Sequence, residues 1–430
     1  MRLRLAALAV CVVACVFTQG TASAESPSQS VPLTLDDAIA RVEKTHPELR
    51  LFGNRTEMLV AERDNAALKP PVMLGVQVEN ALGSGYYSGI QNAEVTLTLA
   101  SVLERGGKLD ARQVLAQRRI DALAIERETR RLDLLAEVAR RYLAVATAKA
   151  QYEIAEIDIL QRKRAVAGAR ERLQAGASPE SVVLTAQAAL AKAELSRDRA
   201  RQQEAAATIH LASLWGERNP QFTVVAGNPI RLPDIATSSE LDAMLERNPE
   251  LEQFADERRI REARLQLAKS SATADLEWQV GFRRIQATDD NALVAAITLP
   301  LGGGRRAEPG IRSAQAELSA LEVEREAKGM SLYSTLMDAH GRYIGAQREV
   351  RVLQDIILPK LARAESAAER AYRAGAISYM EWAQLQSERT ATRRQQLDVA
   401  IEAQRALIEI QRLTGQAFIA TKSDEQGATP

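Results

Sequence analysis

Residues 108–174 read KLDARQVLAQRRIDALAIERETRRLDLLAEVARRYLAVATAKAQYEIAEIDILQRKRAVAGARERLQ, with no proline and Gly168 as the one interior glycine. As a single helix, roughly 67 residues at 1.5 Å each would reach about 100 Å, more than the diameter of a compact domain. Within the run Val138, Val145, Tyr152, Ile159, Val166 and Leu173 recur every seven residues. An apolar heptad sustained this long predicts coiled-coil packing, and Ala144, Ala146, Ala148 and Ala150 allow close approach of a neighbouring backbone.

Outward from this helix the pattern is simple. The run ends at Gly176, and Ser178-Pro179 fits an N-cap with proline at the first position of a returning helix, about 179–215. Before it, Leu74, Val76 and Val78 alternate with polar residues or glycine, as do Val95, Leu97 and Leu99. This period-two pattern predicts amphipathic strands over about 72–80 and 92–101, joined by a Gly/Ser/Tyr loop at 82–88. Further upstream, 35–67 reads as two helices, with Pro47 opening the second.

The arrangement then repeats. His46-Pro47-Glu48-Leu49 returns as Asn248-Pro249-Glu250-Leu251, Leu97-Thr98-Leu99 as Ile297-Thr298-Leu299, Arg141-Tyr142-Leu143 as Arg342-Tyr343-Ile344, and Ala175-Gly176-Ala177 as Ala374-Gly375-Ala376. The second copy carries expected strands at about 275–283 and 292–300, a loop at 286–291, and long helices at about 309–374 and 378–414. Leu336, Tyr343, Val350 and Ile357 continue the heptad there, and Pro359 predicts a kink or local loosening. The domain reading is therefore an export segment 1–24, a first repeat 25–227, a second repeat 228–418 and a tail 419–430.

Composition agrees with long helices and excludes several functions. The 430 residues hold 56 basic and 56 acidic side chains and only 4% aromatics. The arginine pairs at 118–119, 130–131 and 140–141 are interspersed with carboxylates, a solvated ion-paired face and no nucleic-acid site. Arg2 and Arg4, an apolar stretch from 5 to 17, and Ala22-Ser23-Ala24 read as an export signal. The lipobox-like Val12-Val13-Ala14-Cys15 leaves lipidation of Cys15 as the alternative to cleavage after Ala24. Both cysteines, Cys11 and Cys15, lie in this segment, so no disulfide or cysteine metal site is expected. His46, His210 and His340 are scattered, Gly302-Gly303-Gly304-Arg305 lacks the Lys-Ser/Thr ending of a phosphate loop, and no nucleophile or acid/base constellation is present. No enzyme activity and no cofactor are expected.

Strands of membrane-crossing length in an exported chain constrain its assembly. Four strands cannot close a barrel, and an open sheet edge cannot stand in lipid. The chain must then oligomerise, and three copies would supply twelve strands. A periplasmic coiled-coil scaffold with a small soluble strand domain is the competing reading.

Over residues 33–418 the sequence resembles the TolC-type outer-membrane efflux family. The resemblance rests on the twofold repeat, Leu299-Pro300-Leu301 before a glycine cluster, Leu358-Pro359, and Tyr372-Arg373-Ala374-Gly375. Val78-Glu79-Asn80, Gly83-Ser84-Gly85, Glu94-Val95-Thr96-Leu97 and Gly106-Gly107-Lys108 resemble the subgroup that serves cobalt-zinc-cadmium exporters. It departs from the subgroup at Leu109, where many relatives carry a basic residue, and at Glu104-Arg105, where a glycine-flanked apolar pair is commoner.

The resemblance implies a mainly α chain of two tandem repeats, each a β-hairpin plus a long helical hairpin. It implies a homotrimer with a 12-stranded barrel in outer-membrane lipid, continued by a periplasmic α-helical barrel. A periplasmic adaptor and an inner-membrane RND-type pump are the implied partners, and heavy-metal cations the implied cargo, with drugs or secreted polypeptides the alternatives. Gly176, Ala177, Ser178, Gly375, Ala376, Ile377 and Ser378 match the tips that meet the adaptor. Glu365 and Glu369, one helical turn apart near the second tip, are candidates for a ring at the periplasmic aperture.

Overall fold

The computed structural model describes residues 31–225 and 227–418. The expected export signal, Cys15 and the tail lie outside the described residues. In chain order the elements are β1 (Val31–Leu33), α1 (Leu35–Thr45), α2 (Pro47–Ala66), β2 (Met73–Glu79), β3 (Glu94–Leu103), α3 (Lys108–Gln174), α4 (Glu180–Ala212) and β4 (Phe222–Val224). There follow α5 (Ser238–Leu245), α6 (Pro249–Ser270), β5 (Leu276–Ile285), β6 (Asp290–Thr298), α7 (Gly303–Val352), α8 (Leu358–Arg373) and α9 (Tyr379–Thr414). Between α7 and α8 the helix widens into a π-turn at Leu353–Ile357.

The four long strands form one antiparallel sheet in the order β2-β3-β5-β6, so the two hairpins pair through β3 and β5. Leu74, Leu99, Val280 and Ala295 make a row across one face, and Val76, Leu97, Phe282 and Leu293 make the next. This face is bare, its large side chains exposed from 41% at Leu99 to 88% at Leu293. On the other face Arg283 donates to Glu94 at 2.9 Å, Glu79 at 3.2 Å and Thr96 at 2.9 Å.

Helices continue the sheet as a layer one helix thick. Next to the strands the contact order is α2-α3-α6-α7, and farther away α4-α3-α9-α8. The first-copy elements β2, α2 and α4 therefore form one free edge, and β6, α7 and α8 the other.

Three apolar clusters hold the helices together. One surrounds Leu33, Val138, Tyr142 and Leu211, a second Leu336, Tyr343, Leu407 and Ile410, and a third, near the helical turns, Val166, Tyr372, Tyr379 and Trp382. The repeated Arg-Tyr motif has a structural cause. The Tyr142 hydroxyl donates to the carbonyls of Leu33 (3.1 Å) and Val225 (2.7 Å), clamping the extended segments that flank the β1–β4 pair, and the Tyr343 hydroxyl donates to Pro233. His46 and Asn248 play one role as well, each capping a proline-initiated helix by accepting the second backbone N–H, from Glu48 and Glu250.

The structure corrects several expectations. The parallel pair β1–β4 is an addition, three residues a side and too short to show periodicity. Helix α7 starts at Gly303 and runs through Pro309, six residues before the expected start at 309. The hairpin β5–β6 is tighter than expected, with only 286–289 outside the strands and Asp289 at φ 58°. Pro179 occupies the cap position of α4, and Ser178 makes no capping bond. The heptad also fails at its ends, since Leu173 and Ile357 are both exposed.

Candidate conduction and docking surfaces

The two helical turns are built alike. Gly176 (φ 68°) and Gly375 (φ 80°) adopt the left-handed conformation that ends a helix cheaply only in glycine. Ala177 N–H bonds to Arg172 O and Gly176 N–H to Leu173 O, while Ala376 bonds to Ala371 and Gly375 to Tyr372. Gly176, Ala177, Gly375, Ala376 and Ser378 are exposed, and Ser178 and Ile377 are half-buried. Ser378 caps α9 through a reciprocal pair with Glu381, whose carboxyl the Ser378 backbone and hydroxyl hold below its usual range.

The turns are tied to one another. The Arg172 guanidinium lies 4.9 Å from the Tyr372 ring centre and donates to the Tyr372 carbonyl. Tyr372 lies beside Gly168, close enough that an added Cβ there would touch the ring at 3.8 Å, and stacks on Trp382 at 5.2 Å. Packing here outranks hydrogen bonding: Tyr379 Oη, Trp382 Nε1 and Gln386 Oε1 are buried with no partner among the described residues.

Above this cluster lies a belt of buried charge, which the sequence reading missed. Asp158 accepts from Arg162 and from the Thr390 hydroxyl, both at 3.1 Å, and Arg162 also donates to Ser387. Spacing could have found the Asp158–Arg162 pair, four residues apart on one helix. Its cross-helix partners on α9 have no sequence signature. Burial, and then the neighbouring Arg389, push the Arg393 guanidinium down.

The expected acidic aperture is altered by this belt. Glu365 is 7% exposed and ion-paired with Arg389, so it is not a free carboxylate facing an opening. Glu369 pairs with Arg373 at 2.7 Å on the helix surface. Pro359 lies just past the π-turn, and having no N–H it could not have bonded the Asp355 carbonyl in a regular helix.

No described helix is long and apolar enough to cross a membrane, and no three metal-ligating side chains come together among the described residues. The sheet face presents a continuous row of exposed apolar side chains. Between α2, α3, α6 and α7 a hollow of about 440 Å³ has mixed lining, including Arg55, Leu123, Glu126 and Phe254. Arg55 and Glu126 pair across it.

An amphipathic four-stranded sheet set on helices of this length has close counterparts. Residues 62–217 match the outer membrane efflux protein family. The chain is 26% identical over 384 residues to the cobalt-zinc-cadmium resistance protein CzcC of Cupriavidus metallidurans, covering 89% of this chain and 90% of that one. Over residues 62–217 the chain carries the outer membrane efflux protein pattern, and the likeness to CzcC extends it over most of the length. A second relative, the pyoverdine export outer membrane protein OpmQ of Pseudomonas putida, is 24% identical over 66% of the chain and 62% of its own length. The crystal structure of CusC superposes with a TM-score of 0.73 at 18% identity, over 89% of this efflux protein and 92% of that chain. The efflux protein is accordingly an outer-membrane channel and not an enzyme.

Proposed function

We propose that three copies of this efflux protein form one duct that passes heavy-metal cations out of the cell. The carrying observation is a sheet with one bare apolar face and two unpaired edges, β2 and β6, attached to a helical layer with free edges on the same two sides. Unpaired strand edges in lipid cost several kcal/mol per backbone group, and pairing β2 of one copy with β6 of the next removes them. The contact is head-to-tail, so the ring closes only if the rotation per copy matches a whole number of subunits. Three copies give twelve strands, an even-numbered barrel of ordinary size.

The exposed turns at Gly176-Ala177-Ser178 and Gly375-Ala376-Ile377-Ser378 are the docking points we assign to a periplasmic adaptor, which links the duct to an inner-membrane RND-type pump. Small residues there let a partner helix approach the backbone closely. Glu369 remains the candidate rim carboxylate, whereas Glu365 would have to leave Arg389 to serve. The second arm, with its π-turn and buried charge, is the part we assign to movement at the periplasmic end. Trapping the two turns with a cysteine pair should stop conduction in reconstituted bilayers, and undiminished conduction would refute that assignment.

The metal reading follows the likeness to the cobalt-zinc-cadmium resistance protein. Deleting the gene should lower survival on cobalt, zinc or cadmium, and complementation should restore it. Unchanged metal tolerance with heightened sensitivity to organic compounds would overturn that reading. It would favour export of small organic molecules, the second reading, which the likeness to the pyoverdine exporter supports. Recovery of the protein only in the soluble periplasm would overturn the duct itself.

A further inference from the structure

Each of the four connections between helix and strand carries an exposed cation with no ion pair. Lys69 lies between α2 and β2, Arg105 between β3 and α3, Lys269 in the last turn of α6 before β5, and Arg305 and Arg306 in the first turn of α7 after β6. None of these five side chains has a hydrogen-bond or ion-pair partner among the described residues. Two of the carboxylates nearby are already used. Glu104 is held by Arg112, and Asp275 by Lys108 at 2.7 Å and by the Arg105 backbone N–H. Asp110 in the first turn of α3, Glu277 in β5 and Glu308 in α7 have no ion pair among the described residues, so three carboxylates stand against the five cations and the balance stays positive.

The other end of the sheet is different. The β2–β3 connection, 80–93, holds no charged residue, and at the β5–β6 turn Arg284 is paired with Asp289. Arg283 is bound by Glu79 and Glu94. The unpaired positive charge is thus confined to the helix side of the bare apolar face. Large apolar side chains stand beside it, with Leu68, Val72, Leu103 and Leu301 between 54% and 82% exposed. Alternating apolar and long cationic side chains at the end of a lipid-facing surface are suited to the boundary of a leaflet, where aliphatic stems lie in hydrocarbon and charged heads reach the phosphates.

We propose that these five cations form a collar that selects anionic phospholipid in the periplasmic leaflet around the duct. The proposal rests on the outer-membrane reading above. It commits to the phosphate of a lipid headgroup, since a free phosphate would gain nothing from the adjoining apolar band.

Trp278 provides a native reporter. It lies on the apolar face opposite Ser101 and Ile297, two residues from the helix-side end of β5, while Trp215 and Trp382 pack in helical clusters away from the sheet. The full-length protein is reconstituted with phosphatidylglycerol or phosphatidylcholine brominated in the acyl chains, and quenching of Trp278 is followed against lipid fraction. Phosphatidylglycerol should be preferred by at least about fivefold, the weight of one basic side chain at an anionic surface. In 1 M salt, where the screening length falls to about 3 Å, the preference should approach one.

Changing all five to glutamine (K69Q, R105Q, K269Q, R305Q, R306Q) should remove the preference while phosphatidylcholine still quenches, which shows that the variant remains inserted. Equal quenching by both lipids in the unaltered protein, or a preference that survives the five substitutions, overturns the collar. Competition by millimolar inorganic phosphate would identify a phosphate site instead and also overturn it. Absence of quenching by either lipid would refute the membrane reading on which the proposal stands.

Discussion

The first helical arm, α3 with α4, and the second, α7 to α9, share a frame and differ in what fills it. Toward the sheet the copies align at an offset of 201, since 343 − 142 = 201, and Leu135, Val138 and Tyr142 are buried as are Leu336, Ala339 and Tyr343. At the turns the offset is 199, since 375 − 176 = 199, and Ala169 and Ala368 are both buried. The second arm has therefore lost two residues between these points. At 100° per residue that loss alone would rotate everything below by about 200°. The π-turn at Leu353–Ile357 takes up roughly one residue more, bringing the total near 300°, close to a full turn. The buried face is thereby restored, and an irregular turn in one arm preserves the regular packing of both.

Below that point the contents diverge. Val166 and Leu190 of the first arm correspond at offset 199 to Glu365 and Arg389 of the second, an apolar pair against a buried ion pair. Removing one member of a buried pair strands its partner, so Arg389→Leu should destabilise the second turn by about 3–5 kcal/mol. Glu365→Val with Arg389→Leu, which copies the first arm, should be neutral or stabilising by about 1–4 kcal/mol. Hydrogen exchange of the α8 and α9 amides checks both. A double variant as weak as the single one would show that the arms are not interchangeable at this level.

The same offset places Trp382 where the first arm has Val183, both buried. Trp382→Ala should cost about 3–5 kcal/mol, and Val183→Ala about 1.5 kcal/mol at roughly 0.8 kcal/mol per buried carbon. Trp382→Phe is the sharper control, because it keeps the stack on Tyr372 and removes a buried N–H that has no partner. An unpaired buried donor costs about 1–3 kcal/mol, so this variant should lose much less than alanine. Near-equal losses for phenylalanine and alanine would mean that the indole N–H is satisfied in the protein.

The frame was legible in the sequence because it is written in period and punctuation. Heptads, glycine at each turn and alternating strands all act locally. The additions to the frame were not legible. A three-residue strand such as Phe222–Val224 is too short for a period, and its pairing with Val31–Leu33 spans most of a repeat. The π-turn shows in sequence only as a change of offset from 201 to 199. Glu365 and Glu369, one turn apart, read as a shared acidic face, and only the partner helix reveals that Arg389 covers the first of them.

Pro359→Ala separates two causes of the π-turn. If the missing N–H alone produced it, alanine would restore a regular helix; if the two-residue loss demands it, the turn persists. We expect persistence, with a stability change within about 1 kcal/mol, seen as an unchanged backbone at Leu353–Ile357 in a crystal structure of the variant. A regular helix there would refute the phase argument.

The smallest expected difference lies at the paired helix caps. His46 Nδ1 accepts the Glu48 N–H at 3.3 Å and so must be unprotonated, and burial pushes the imidazole below its usual value of 6.5. Above that value the ring is neutral in folded and unfolded chains, and the cap contributes fully. As pH falls through it, the unfolded chain takes up a proton that the folded chain resists, so stability declines until the folded value is passed. Asn248, the counterpart, accepts the Glu250 N–H at 2.7 Å and cannot titrate. His46→Asn should keep the cap and remove this part of the pH dependence. Thermal midpoints at about pH 7.5 and pH 5.5 test it: the parent should lose more stability on acidification than the variant. Equal losses would refute the assignment to His46; the response of Glu250, where burial opposes and the bonds from Lys328 and Arg412 outweigh it to hold the carboxyl low, lies outside this window. That response would begin only near the ordinary carboxylate range, about two units lower in pH than the one expected of His46.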